Sequence, residues 1–198
     1  ITPHGSPGFG GGAKVITPGV AGVETIASIH EPGRLQTGLG LEENEFRREI
    51  EYIAREHVRL DFLINVVPNT RREIAGVFAG DLVAAHRAGV RLARQVFATR
   101  MPVEPVDVVI TNAYPKDTDF LQNGLSLNVL RSAKGTVVKE GGVVVVITAS
   151  PEGRGYHGIY GPGMRYGPER PAPDHPHTPR FGEAEVIYFS PGVTAADV

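Results

Sequence analysis

Residues 106–149, VDVVITNAYPKDTDFLQNGLSLNVLRSAKGTVVKEGGVVVVITA, decide the fold. Val106–Thr111 and Val143–Ala149 are continuous β-branched runs, short enough to be strands rather than helices. Between them the pattern predicts a polar loop over Asn112–Asp119 and a helix from Phe120 to about Ala133. Gly141-Gly142 then turns the chain into the second strand. Apolar runs without alternation, joined through a helix, indicate a parallel βαβ unit covered on both faces. Such sheets bind ligands beyond the carboxyl ends of their strands, which points to the 112–122 loop and to the segment after Ser150.

Downstream, Glu185–Ser190 reads as a further strand, and residues 151–182, rich in Gly and Pro, as a long ordered loop or flap. Upstream, Thr99–Pro105 with Pro102 and Pro105 marks a domain boundary. The reading is thus a first domain over 1–98, a linker over 99–105 and a second domain over 106–198. Within the first, Asp81–Phe97 is a helix with Leu82, Ala85, Gly89, Leu92 and Val96 inward. Asp61–Val67 is a buried strand closed by Pro68-Asn69. From Glu43 to about Arg59 a helix is predicted with Phe46, Ile50, Ile53, His57 and Leu60 on its apolar stripe. Its remaining residues, among them Arg47, Arg48, Glu49, Glu51, Arg55 and Glu56, read as a solvated face. Glu24–His30 is a short helix stopped by Pro32-Gly33. The fold class is α/β, two α/β domains with largely parallel sheets flanked by helices, and the ligand site is expected in the cleft between them.

With 198 residues, 41% hydrophobic and 21% charged, the chain can bury a real core. Having no Cys, it has no disulfides, thiolate metal sites or cysteine nucleophiles. A formal charge of -2 gives no long-range attraction to nucleic acid or anionic lipid. Arg91, Arg94 and Arg100 read as a solvated helix face and linker rather than a nucleic-acid stripe. Neither a membrane span nor a signal peptide is visible, so the expected location is the cytoplasm. The 25 Gly and 16 Pro are concentrated in particular stretches, and the chain opens on Ile1 directly into one of them. It reads as an excised piece of something longer.

That opening stretch, ITPHGSPGFGGGAKVITPGVAG over residues 1–22, must run through special backbone angles or lie close to a ligand. GFGGGAK (8–14) is neither a dinucleotide fingerprint nor a Walker loop, since Val15 follows Lys14. A lysine behind three glycines is a surface charge on a turn, or a point charge or nucleophilic amine at a cofactor. His4 is a surface group or a proton-transfer residue. His30, ending its short helix, is either a cation favoured by the helix C-terminus or a neutral metal ligand. His57 and His86 read as structural, and the HPH at 175–177 as a weak metal candidate between prolines.

Loop, lysine and histidines together resemble the lactate racemase family, whose founding member uses a nickel-pincer nucleotide. The similarity runs from TPHGSPGFGGGAKVITPGVAGVETIASIH through DFLINVVPN and EIAGVFAGDLVAAH to NAYPKDTDFLQ and KEGGVVVVITAS, most of residues 2–150. The resemblance implies that Lys14 links covalently to the nickel-pincer nucleotide and that His30 completes nickel coordination beside the pincer's carbon and two sulfurs. It implies that His4 is one of two histidines exchanging the proton of the substrate hydroxyl, and that Gln122 contacts substrate. The second histidine then lies outside this chain, and this piece alone is inactive.

By the same resemblance the reaction is a hidden redox cycle. Hydride leaves the carbinol carbon for the cofactor and returns to either face of a planar keto acid. The chain departs from the family's lactate enzyme where a substrate-binding lysine would lie three positions beyond the glutamine, because that position is Leu125. It also has no Trp, so the indole lining the lactate pocket is missing. Losing a cation removes a charge-assisted contact to a carboxylate. The implied activity is a racemase or epimerase acting on a 2-hydroxy acid or a related polyol or sugar acid, with cofactor-synthesis proteins as cellular partners. Altered redox or hydratase-like chemistry on the same scaffold, and a non-catalytic nickel-nucleotide binding protein, are the alternatives.

Overall fold

The computed structural model describes residues 1–30, 38–133, 135–153, 155 and 182–194, without the side chains of Leu121 and Leu125. Most of the expected flap, including His175 and His177, lies outside the described residues. The chain divides into two compact units, Ile1–Thr99 and Arg100–Val198.

In the first unit β1 (Pro3–His4) pairs antiparallel with β2 (Gly8–Phe9), and a 3-10 turn follows over Gly12–Val15. Helix α1 covers Val23–Ile29 and α2 covers Glu45–Tyr52. The Asn44 side chain starts α2 by accepting the Arg47 N–H at 2.8 Å, as an N-cap does. A π-helical turn over Ile53–His57 ends it. The extra residue in that turn shifts the phase of the apolar stripe. Phe46, Ile50 and Ala54 are therefore buried, while His57 is exposed and meets the Tyr52 ring edge-on, contrary to its expected core position.

β3 (Leu63–Pro68) and β4 (Ile74–Gly80) form an antiparallel hairpin. Among the described residues the strand pairs of this unit are antiparallel rather than parallel as expected, the turn between β3 and β4 being too short for a crossover. Asn69 closes it, its Oδ1 accepting the N–H of Arg71 at 2.8 Å and of Glu73 at 3.0 Å. Helix α3 (Leu82–Val96) is capped by Asp81 and packs on the hairpin through Val67, Val90 and Ala93, with Phe9 in the same cluster. A second cluster joins Ala13, Ile29, Phe46, Ile50, Ala54 and Leu82. Ala13 precedes Lys14 and Ile29 precedes His30, so one core fixes both candidate residues.

The second unit holds a parallel sheet in the order β5 (Val106–Asn112), β6 (Val138–Ile147), β7 (Glu185–Phe189). Val106 pairs with Val138 but Val108 pairs with Val143, so residues 139–142 form an irregularity within β6. Gly141 takes φ +71° there, and the two glycines serve a bulge rather than the expected turn before the strand. The expected 120–133 helix is three short pieces: α4 (Phe120–Asn123), a 3-10 turn (Gly124–Leu127) and α5 (Asn128–Arg131). Gly124 interrupts it, glycine being costly in a helix interior. Leu127 and Leu130 cover one sheet face by packing on Val109, Val144, Val146 and Val186. On the other face Ile110, Ile187 and Phe189 are exposed, so among the described residues only one of the two expected layers is present.

Candidate functional site

The glycine-rich loop is held from inside. Gly8 (φ +78°) and Gly12 (φ +59°) occupy left-handed backbone, and a Cβ at Gly12 would stand 2.8 Å from His86 Cδ2. The loop's carbonyls face a buried cation. Arg47 Nε donates to Pro7 O at 3.3 Å, Nη1 to Gly11 O at 3.2 Å, and Nη2 to Phe9 O. Arg47 is 0% exposed, against the expectation that it lies on a solvated face. Burial lowers its pKa to about 10, with Glu51 opposing and Arg87 adding to the fall, so it remains charged at neutral pH.

Glu51, also expected in solvent, is buried 4.0 Å from Arg47. It takes both Arg87 amines, at 2.8 and 2.9 Å, while Glu43 accepts from Arg87 at 3.2 and 3.3 Å. Arg87 Nη1 is also 3.0 Å from His86 Nδ1. A guanidinium only donates, so Nδ1 accepts, and the proton of His86 sits on Nε2, which donates to Gly10 O at 3.1 Å. Burial, then the Arg47 charge, push the His86 pKa down to about 3. The structural reading of His86 therefore stands on geometry: it is a loop anchor. On the other side Asn65 Oδ1 accepts the Gly12 N–H at 2.9 Å, while Asn65 Nδ2 is buried with no hydrogen-bond partner.

Lys14 and His30 come together. Lys14 is half-buried in the 3-10 turn, and its charge reaches His30, the residue closing α1. His30 Nδ1 donates to Ile26 O at 2.7 Å, which leaves the lone pair on Nε2. Burial lowers its pKa, the Ile26 carbonyl acts against that, and Lys14 lowers it further. The helix C-terminus thus does not leave His30 a cation; its surroundings favour the neutral ring a metal requires. The backbone bond to Nδ1 also orients the ring, as second-shell partners of ligating histidines do.

His4 sits on β1, half-buried, with the Ser6 N–H donating to its Nδ1 at 3.3 Å. In the neutral ring the proton is then on Nε2. For His4 to take a second proton, that long contact must give way.

Gln122 lies in the second unit, on α4 beyond the carboxyl end of β5. Its N–H and its Nε2 donate to the two carboxylate oxygens of Asp119, at 3.1 and 2.8 Å. Asn123 is wholly buried behind it, donating to Ser150 Oγ at 3.1 Å and accepting from Thr148 Oγ1 at 2.9 Å. Leu125 is in the 3-10 turn that follows, and its side chain is outside the described residues.

No group of three His, Asp or Glu side chains able to hold a metal occurs among the described residues. The cofactor that the resemblance implies would bring most of its metal's ligands with it. The residues fit such a group: an imidazole whose surroundings favour the neutral ring, a lysine whose charge reaches it, and Asn65 Nδ2, buried without a partner, as a donor. No described helix is long and apolar enough to cross a membrane.

Comparison with known proteins agrees with the resemblance. The family described as lactate racemase N-terminal domain matches residues 1–38, the segment bearing His4, Lys14 and His30. The lactate racemase of Lactiplantibacillus plantarum is 32% identical over 167 residues, 81% of this chain and 38% of that protein. The lactate racemase of Thermoanaerobacterium thermosaccharolyticum is also 32% identical over 167 residues, covering 37% of its length. The chain thus spans well under half the length of these relatives. The solved structure of the Thermoanaerobacterium thermosaccharolyticum lactate racemase apoprotein superimposes with a TM-score of 0.65 at 30% identity, over 80% of this chain and 38% of that one. The motif segment, the sequence over about four fifths of the chain and the fold are thus all similar to those of lactate racemases.

Proposed function

We propose that this chain carries the cofactor-holding part of a racemase or epimerase acting on a 2-hydroxy acid or a related polyol or sugar acid in the cytoplasm. Lys14 would hold a nickel-pincer nucleotide covalently, and His30 Nε2 would ligate its nickel. When bound, that group supplies the carbon that accepts and returns hydride. The protein's own share is placement and proton handling. His4 would exchange the proton of the substrate hydroxyl, its ring oriented by the Ser6 N–H that donates to Nδ1.

The observation that carries this reading is the joint placement of Lys14 and His30. Adjacent residues of both lie in one core cluster, the His30 Nδ1 is already committed to Ile26 O, and burial favours the neutral ring. On the substrate side, Gln122 has its amide engaged by Asp119, and position 125 bears no charge. Neither offers a cation to a carboxylate, which favours a substrate recognised through several hydroxyls over lactate itself.

The test is intact mass under denaturing conditions on the full chain, co-expressed with cofactor-synthesis genes and nickel. An adduct on the peptide containing Lys14, absent from Lys14→Ala, is the expected result. An unmodified wild-type mass, beside a positive control that is modified, would overturn covalent attachment.

A further inference from the structure

Every carbonyl from Pro7 to Gly11 accepts from a named donor. Gly8 O takes the Gly40 N–H at 3.1 Å and Gly10 O takes His86 Nε2 at 3.1 Å. The other three, Pro7, Phe9 and Gly11, all go to Arg47. The last of these is shared: Gly11 O also accepts the backbone N–H of Lys14 at 3.3 Å. One oxygen atom thus joins the buried guanidinium to the residue read as the cofactor anchor.

We infer that Arg47 is a positioning residue that sets the Gly11 peptide and through it the direction in which Lys14 leaves the loop. The inference rests on the proposed cofactor role of Lys14. Its physical basis is cost and shape. Burying a guanidinium is expensive, and an apolar side chain of equal volume supports a core at least as well. A planar fork of five donors, however, can serve alternate carbonyls of a single loop at once, which an ammonium on a flexible stem cannot. The glycines that give this loop its shape also leave it free to adopt others, so something outside it must select one. Glu51, shared with Arg87, holds the guanidinium's charge in place.

The test uses the full chain, co-expressed with cofactor-synthesis genes and nickel, as wild type, Arg47→Lys and Arg47→Met. Circular dichroism and thermal melting report the fold, and denatured mass reports occupancy of Lys14. Arg47→Lys keeps a cation beside Glu51, so a purely structural role would be rescued by it. Positioning instead requires Lys14 occupancy to fall at least about ten-fold in a folded variant. In cofactor-free protein, the acetylation rate of Lys14 relative to Lys116 and Lys139 should change about three-fold or more.

Wild-type occupancy with an unchanged relative acetylation rate in a folded variant would overturn the inference. Loss of the folded state in both variants would overturn it as well, by making Arg47 a requirement of folding as such. Should the wild type carry no adduct, the cofactor reading fails by itself, and the acetylation ratio still decides the role of Arg47.

Discussion

His30 Nδ1 donates to the carbonyl oxygen of Ile26, one helical turn earlier, at 2.7 Å. That single bond sets which nitrogen is left to coordinate, and it is made by a residue whose own backbone helix α1 already fixes. His30→Ala removes that nitrogen, and with it the edge-on contact of the ring with the core residue Phe46. Under the proposed function, nickel per chain should fall at least about ten-fold, read by metal analysis, while the far-UV circular dichroism spectrum stays that of the wild type. Retention of nickel at the wild-type ratio would remove His30 from the metal site.

His86 gives a pH dependence with a definite sign. Its folded pKa, about 3, lies below the ordinary 6.5, so the unfolded chain binds the proton more readily. The neutral ring's contribution is whole above pH 6.5 and is lost as pH falls toward 3, by up to about 1.4 kcal/mol for each unit of pH. Carboxylates add their own acid sensitivity, so the comparison is with His86→Gln, whose amide can still donate to Gly10 O. Urea denaturation at intervals from pH 7 to pH 4 should give a shallower fall for the variant. Parallel curves would mean that His86 is protonated in the folded protein at these pH values.

What could be read in the sequence follows from what is local. The stripe Phe46–Ile50 and the first part of the inner face of α3 (Leu82, Ala85 and Gly89) were legible because helical spacing alone sorts them, and these are buried, whereas Leu92 and Val96 are half-buried. The strands of the second unit were legible as β-branched runs. Arg47 and Glu51 were not, because their partners lie outside any local window: the carbonyls that justify burying Arg47 belong to residues 36–40 positions earlier. A pattern-based reading sends charges to water by default. β4 was missed since IAGVFAG carries two glycines and no clear alternation, and its pairing depends on the Asn69 turn. Lys14, His30, His4 and Gln122 were chosen through the family resemblance, their local chemistry leaving alternatives open.

Two ion-pair environments of the first unit should behave differently. Glu51 is buried between Arg47 and Arg87, whereas Arg55 and Asp81 meet at 2.7 Å with both side chains about half exposed. Glu51→Ala leaves two buried guanidinium groups short of a counter-charge and should cost about 3 kcal/mol or more. Arg55→Ala should cost less than about 1 kcal/mol, exposed pairs being weak and screened by salt. Asp81→Ala falls between, since it also strips the cap that accepts the Val83 and Ala84 N–H groups, worth about 1 kcal/mol. Chemical denaturation of the three variants at one pH ranks them. An order with Arg55→Ala most damaging would contradict the burial assigned to Glu51.

In the second unit the loop carrying Gln122 rests on Asn123. Its side chain ties Ser150 Oγ to Thr148 Oγ1, and those hydroxyls are themselves 2.9 Å apart. Ser150 in turn anchors the neighbouring loop, its N–H donating to Asp117 O at 2.8 Å and its carbonyl accepting the Gly153 N–H at 2.9 Å. Asn123→Ala removes two buried hydrogen bonds but leaves the hydroxyls each other, so the expected loss is about 2 kcal/mol rather than the full penalty of isolated polar groups. Replacing Thr148 by Val in the same background then costs less than it does alone, because the partner it would lose is already gone. A double-mutant cycle by thermal or urea denaturation measures that difference. Strict additivity would show that Asn123 and Thr148 act independently, and would leave the seating of the Gln122 helix to Asp119.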